Sequence, residues 1–163
     1  MTCRKIGFFD AGFSEGLYDN IDLAAAGQPP DLLWFNATRA WSTAPTAQVA
    51  VGRDRIDLEL WYQGTFASAP ATESYDATSK YLKCDVCVIY WEGYIPSTDQ
   101  YDRAYFPQAG SATVSQATQS ADGGTMAGTG SNLKLVEWDL DADEPVAGGQ
   151  CIEMPAATFS SSW

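Results

Sequence analysis

Between residues 55 and 62 apolar and polar positions alternate strictly: Ile56, Leu58, Leu60 and Tyr62 fall on one side, Arg55, Asp57 and Glu59 on the other. A period of two is that of an extended strand with one face on a core and one wet face. Residues 84–91 carry a different pattern. Val86, Val88 and Tyr90 alternate with Cys87, Ile89 and Trp91, so both faces are apolar, which predicts a central strand covered on both sides. Gly93, Pro96 and Ser97-Thr98-Asp99 then supply turn chemistry before a strand at 101–106, and the two segments read as a hairpin with a long tip.

Further strands are predicted at 110–118, 133–138, 150–154 and 157–160, with a turn at Asp122-Gly123-Gly124 and an acidic loop at 139–144. The first third is less regular. Strands are expected near 3–8, 31–38 and 46–51, with a short helical turn at 22–26 that Pro29-Pro30 prevents from continuing. The Ala-, Ser- and Thr-rich stretch 67–79 reads as a surface loop. Short strands separated by Gly and Pro predict an all-β fold, an antiparallel β-sandwich of jelly-roll or immunoglobulin-like type. About 8–10 strands and little or no helix are expected.

Composition narrows the function classes. A chain of 163 residues fits one domain over 1–163, since a globule of this size buries about two thirds of its unfolded surface. Apolar runs are too short to span a bilayer as a helix. Met1-Thr2-Cys3-Arg4-Lys5 leads into no apolar export-signal core, so such a signal is expected to have been removed or to lie outside this chain. The net charge of −12 opposes nucleic acid and anionic membranes as partners. Histidine is absent, which excludes Ser-His-Asp and Cys-His catalysis.

The four cysteines, Cys3, Cys84, Cys87 and Cys151, are an even set spread along the chain, which predicts two structural disulfides and an extracytoplasmic location. The sequence leaves the pairing open. Cys84 and Cys87 form a Cys-x-x-Cys, but no helix N-terminus is predicted there to stabilise a thiolate, so cystine is favoured over redox chemistry. Zinc would require all four cysteines to converge.

Asp139, Asp141 and Asp143 place three carboxylates at alternate positions of one loop, a partial match to a calcium site, with a solvated acidic tip as the plain alternative. Calcium is therefore the candidate cofactor. Trp61, Tyr94 and Tyr101 are the aromatic residues expected at the surface, where they can stack on sugars or anchor a protein partner. Local packing is the competing reading for each. Glu92 and Glu137 interrupt apolar strands and are the carboxylates best placed for a glycoside-hydrolase pair.

A set of ordered landmarks runs from about residue 55 to the C-terminus. They are Gly64-Thr65-Phe66 after the alternating strand, residues 81–88 with their Cys-x-x-Cys, and Tyr105-Phe106-Pro107-Gln108-Ala109-Gly110. Gly130-Ser131-Asn132-Leu133-Lys134-Leu135-Val136-Glu137 and Pro145-Val146-Ala147-Gly148-Gly149-Gln150-Cys151 follow. In these the chain resembles a family of small secreted proteins and lipoproteins abundant in myxobacteria and related predatory bacteria. The resemblance implies a β-rich extracytoplasmic module, commonly exported behind a signal peptide and often lipid-anchored. It implies no catalytic residues.

The functional expectation is a non-catalytic secreted or cell-surface module acting in adhesion or self-assembly, with itself, other surface proteins or glycans as partners. A calcium- or carbohydrate-binding module is the alternative. A carboxylate-based hydrolase is a third reading.

Overall fold

The computed structural model describes residues 2–6, 14–19, 32–40, 53–61, 68–95, 97–118 and 124–162. Within them the chain forms strands β1 (Arg4–Lys5), β2 (Ser14–Asp19), β3 (Leu32–Ala40), β4 (Arg53–Trp61), β5 (Ala71–Tyr75), β6 (Val86–Tyr94), β7 (Arg103–Ala117), β8 (Thr125–Asp139), β9 (Glu144–Pro145) and β10 (Cys151–Ser162). One 3-10 turn, Tyr81–Lys83, leads toward β6. The strands hydrogen-bond in the order β1-β10-β8-β7-β6-β4-β3-β2, with β5 added to β7 and β9 to β8. All pairs are antiparallel except β1 with β10. The architecture is all-β and sandwich-like, as the alternation predicts. No described helix is long and apolar enough to cross a membrane.

One open sheet makes the sandwich by bending over itself. β7 and β8 carry the bend: their register slips between Pro107 and Ser111, where Gly110 and Asn132 take the left-handed conformation at φ 96° and 51°. A Cβ on Gly110 would lie 2.5 Å from the Asn132 carbonyl oxygen, so glycine permits the close crossing. Beyond the bend the inner faces of β7, β8 and β10 combine small residues, Ala112, Gly128, Gly130 and Ala157, with the larger Val114, Met126 and Phe159. Gly128 there lies close enough to Leu58 of β4 that an added Cβ would stand 3.5 Å from the leucine Cδ2. Cα atoms of β10 come within 8 Å of those of β2 and β3. Leu58, Leu60, Val88, Tyr90, Phe106, Leu135 and Phe159 are part of the core so enclosed.

Several expectations change. The stretch 67–79 is not all loop, because Ala71–Tyr75 pairs with Gly110–Val114 and buries Tyr75, whose hydroxyl donates to the Val86 carbonyl oxygen at 2.7 Å. The strands predicted at 101–106 and 110–118 are one bent strand. The two expected at 150–154 and 157–160 are likewise continuous through Pro155, which lies opposite Asn132 of β8. β2 had no counterpart in the sequence reading. The strand expected at 46–51 and the helical turn at 22–26 fall outside the described residues.

Two disulfides close the frame. Cys3–Cys151 ties β1 beside β10, and Cys84–Cys87 pins the 3-10 turn to the start of β6.

Candidate functional site

The sharpest departure from expectation lies on β4. Ile56, Leu58 and Leu60 enter the core as predicted, but the polar row opposite them is not wet. Arg55, Asp57 and Glu59 are 6%, 0% and 5% exposed. Their cross-strand partners on β6 are Trp91, Ile89 and Cys87, so the row stands beside an indole and apolar groups rather than water. Burial of this kind is tolerated only where hydrogen bonds replace hydration.

Those bonds are short. Arg55 Nε donates to Asp57 Oδ1 at 2.6 Å, and Trp91 Nε1 donates to Asp57 Oδ2 at 2.6 Å. Glu59 receives Trp61 Nε1 at 3.1 Å on Oε2, where the Tyr81 hydroxyl also arrives at 3.1 Å. Burial, and then the neighbouring Asp57 charge, push the Glu59 carboxyl up to about 7. The Arg55 guanidinium lies 4.6 Å from the centroid of the Tyr94 ring, whose hydroxyl donates to Asp99 Oδ1 at 2.8 Å. Tyr101 packs edgewise on Trp91 with centroids 4.6 Å apart.

Trp61, Tyr94 and Tyr101 are thus drawn into one cluster. Only Tyr101 of the three keeps a large exposed surface, at 43%. Tyr94 is buried, contrary to the surface position expected of it, because Arg55 takes one face of its ring. Trp61 is half-buried against the core with its N–H spent on Glu59.

The acidic loop is held by hydrogen bonds of its own carboxylates. Asp139 Oδ1 accepts the N–H groups of Asp141 and Ala142, each at 3.0 Å, which caps the loop on itself. Asp143 Oδ1 accepts Tyr81 N at 2.9 Å, Leu82 N at 3.4 Å and Trp138 Nε1 at 3.2 Å, while its carbonyl oxygen accepts Lys80 Nζ at 2.7 Å. Asp143 is therefore the seat of the 3-10 turn that carries Tyr81 to Glu59. Among the described residues no three acidic or cysteine side chains are grouped to hold a metal ion.

No family model, curated protein or solved structure matches this chain.

Glu92 and Glu137 do come together, through a shared cation. Arg103 NH1 lies 3.2 Å from Glu92 and its Nε 3.5 Å from Glu137. Glu92 also accepts Arg4 NH2 at 2.6 Å and the Tyr105 hydroxyl at 2.8 Å, tying β1, β6 and β7. Burial alone would raise its carboxyl, but these bonds and the Arg4 charge hold it below the ordinary value.

A further surface feature has no counterpart in the sequence reading. In the register of β5, β7, β8 and β10, Thr72, Thr113, Thr129 and Thr158 lie directly beside one another. The next row is Ser74, Ser111, Ser131 and Ala156. These positions alternate with buried Ala112, Gly130 and Ala157, so they face outward, and the Thr72 and Thr113 hydroxyl oxygens are 2.9 Å apart. The two rows hold no charged residue. Serine and threonine at every second position were visible in the sequence, but only the strand register aligns them.

Proposed function

We propose that the chain is a non-catalytic extracytoplasmic β-sandwich module that works through its surface, in adhesion or self-assembly. The carrying observation is the outward face of β5, β7, β8 and β10, two in-register hydroxyl rows without charge on a chain of net charge −12. Four acids, Glu92 and Asp143 from the candidate sets and the buried Asp57 and Glu59, have structural work. Asp57, Glu59, Glu92 and Asp143 each anchor side chains or backbone from other elements. Two disulfides favour an oxidising compartment, which agrees with the resemblance to exported proteins.

The test is light scattering on the full chain from micromolar to millimolar concentration, beside retention on immobilised protein and glycan surfaces. Mass that grows with concentration, or retention, is expected. A strict monomer that adheres to nothing contradicts the reading. Glycan contact has one observation of its own, the exposed Tyr101 ring on Trp91. A glycan array with indole fluorescence decides it, since a sugar stacked there perturbs Trp91 and Tyr101→Ala removes the response.

A further inference from the structure

We propose that the hydroxyl-bearing face packs against the same face of a second copy of this chain, related by a twofold axis. The inference rests on the reading of the chain as a self-assembling module and names its contact. Charge points to this face. Two copies of an acidic chain repel, and approach is least costly where no carboxylate stands. The Thr and Ser rows meet that condition: on this side of the bend the charged residue of these four strands is Glu73, which stands with Ala112 on the other side of the sheet, and past the bend charge resumes with the opposed pair Lys134 and Glu153.

Chemistry points to a copy rather than to a different partner. A twofold contact brings each patch against itself, so its groups must be self-complementary. A hydroxyl both donates and accepts and therefore pairs with another hydroxyl, which neither a carboxylate nor an ammonium does with its own kind. Thr is stiff about its first side-chain bond and Ser is short, so little rotamer freedom is lost on contact. Four strands over about six residues give a face of about 400 Å². A stable standard interface needs about 800 Å² per partner. The association is accordingly weak and reversible, and it lacks ion pairs. Salt screens the long-range repulsion and strengthens it.

The experiment is sedimentation equilibrium of the full chain at low and high salt, for the wild type, the double variant Thr113→Lys/Thr129→Lys, the single variant Thr158→Lys, and Leu82→Lys as a control at an exposed site away from this face. Circular dichroism and melting verify that each is folded. The wild type and Leu82→Lys are expected to associate, more so at high salt. The double variant is expected to lose more than about tenfold in association constant, through like charges set face to face. Thr158→Lys is expected to weaken association in the same direction. The lysines make the chain less acidic, so bulk repulsion predicts the opposite change, and a loss therefore locates the contact. If the lysine variants associate as the wild type does, this face is wrong while self-assembly stands. If the wild type stays monomeric at every concentration and salt, both the contact and self-assembly fail. Association that weakens with salt overturns the uncharged contact.

Discussion

The buried row on β4 sets the behaviour of the molecule at the scale of single residues. Glu59 has a carboxyl raised from 4.5 to about 7, so the folded chain binds its proton more tightly than the unfolded one. Its contribution to stability is complete below about pH 4.5 and is lost as pH rises through about 7, a change of about 3 kcal/mol. Denaturant unfolding at pH 5 and pH 8 should show this loss, and Glu59→Gln, which keeps an acceptor for Trp61 and Tyr81, should flatten it. Glu92 acts in the opposite sense. Its lowered carboxyl supports the fold above the ordinary carboxylate value, and that support is lost as pH falls through the lowered one. Arg55→Ala removes the guanidinium from the fully buried Asp57 and should cost about 3–5 kcal/mol in the same assay. Sequence alternation placed Arg55, Asp57 and Glu59 on one face correctly and their environment wrongly. A period of two reports which side chains share a face, whereas the aromatic cover comes from β6 and from Tyr81, distant in sequence. The same applies to Asp143, whose partners at 81 and 82 are remote along the chain.

At the scale of elements, the two disulfides and the bend carry the predictions. Cys3 and Cys151 are 148 residues apart, so their bond removes about 5 kcal/mol of unfolded-state chain entropy, and Cys3→Ser/Cys151→Ser should lose up to that amount in denaturant unfolding. On the inner face of the bent ribbon, a Cβ at Gly128 would lie 2.7 Å from the Thr113 carbonyl oxygen. Gly128→Val should therefore destabilise by about 1–3 kcal/mol, read as a lower melting temperature. β4 was legible from its strict period of two, and β6 with the hairpin to β7 from an apolar run rich in Val, Ile and aromatic residues that ends in turn chemistry. β5 was not legible, since Ala71-Thr72-Glu73-Ser74 has the composition of a loop and becomes a strand only by pairing with Gly110–Val114. The continuity of β7 through Pro107 and Gly110 was hidden for the converse reason. Residues that punctuate local structure here mark a bulge within one strand.

For the whole molecule, an acidic chain presents, among its described residues, a sheet face whose two hydroxyl rows carry no charge. Cysteine arithmetic and the lack of histidine anticipated a disulfide-braced β protein, but the aligned rows depend on three strand pairings at once and no local pattern encodes them. The central claim, that this face is where the molecule works, is tested most directly by a dilution series of the isotope-labelled full chain followed by amide NMR. Concentration-dependent shifts are predicted to gather on residues 72–74, 111–115, 127–131 and 156–160 and to grow with salt. Shifts centred instead on Tyr101 and Leu82, or spectra unchanged at every concentration, would contradict it.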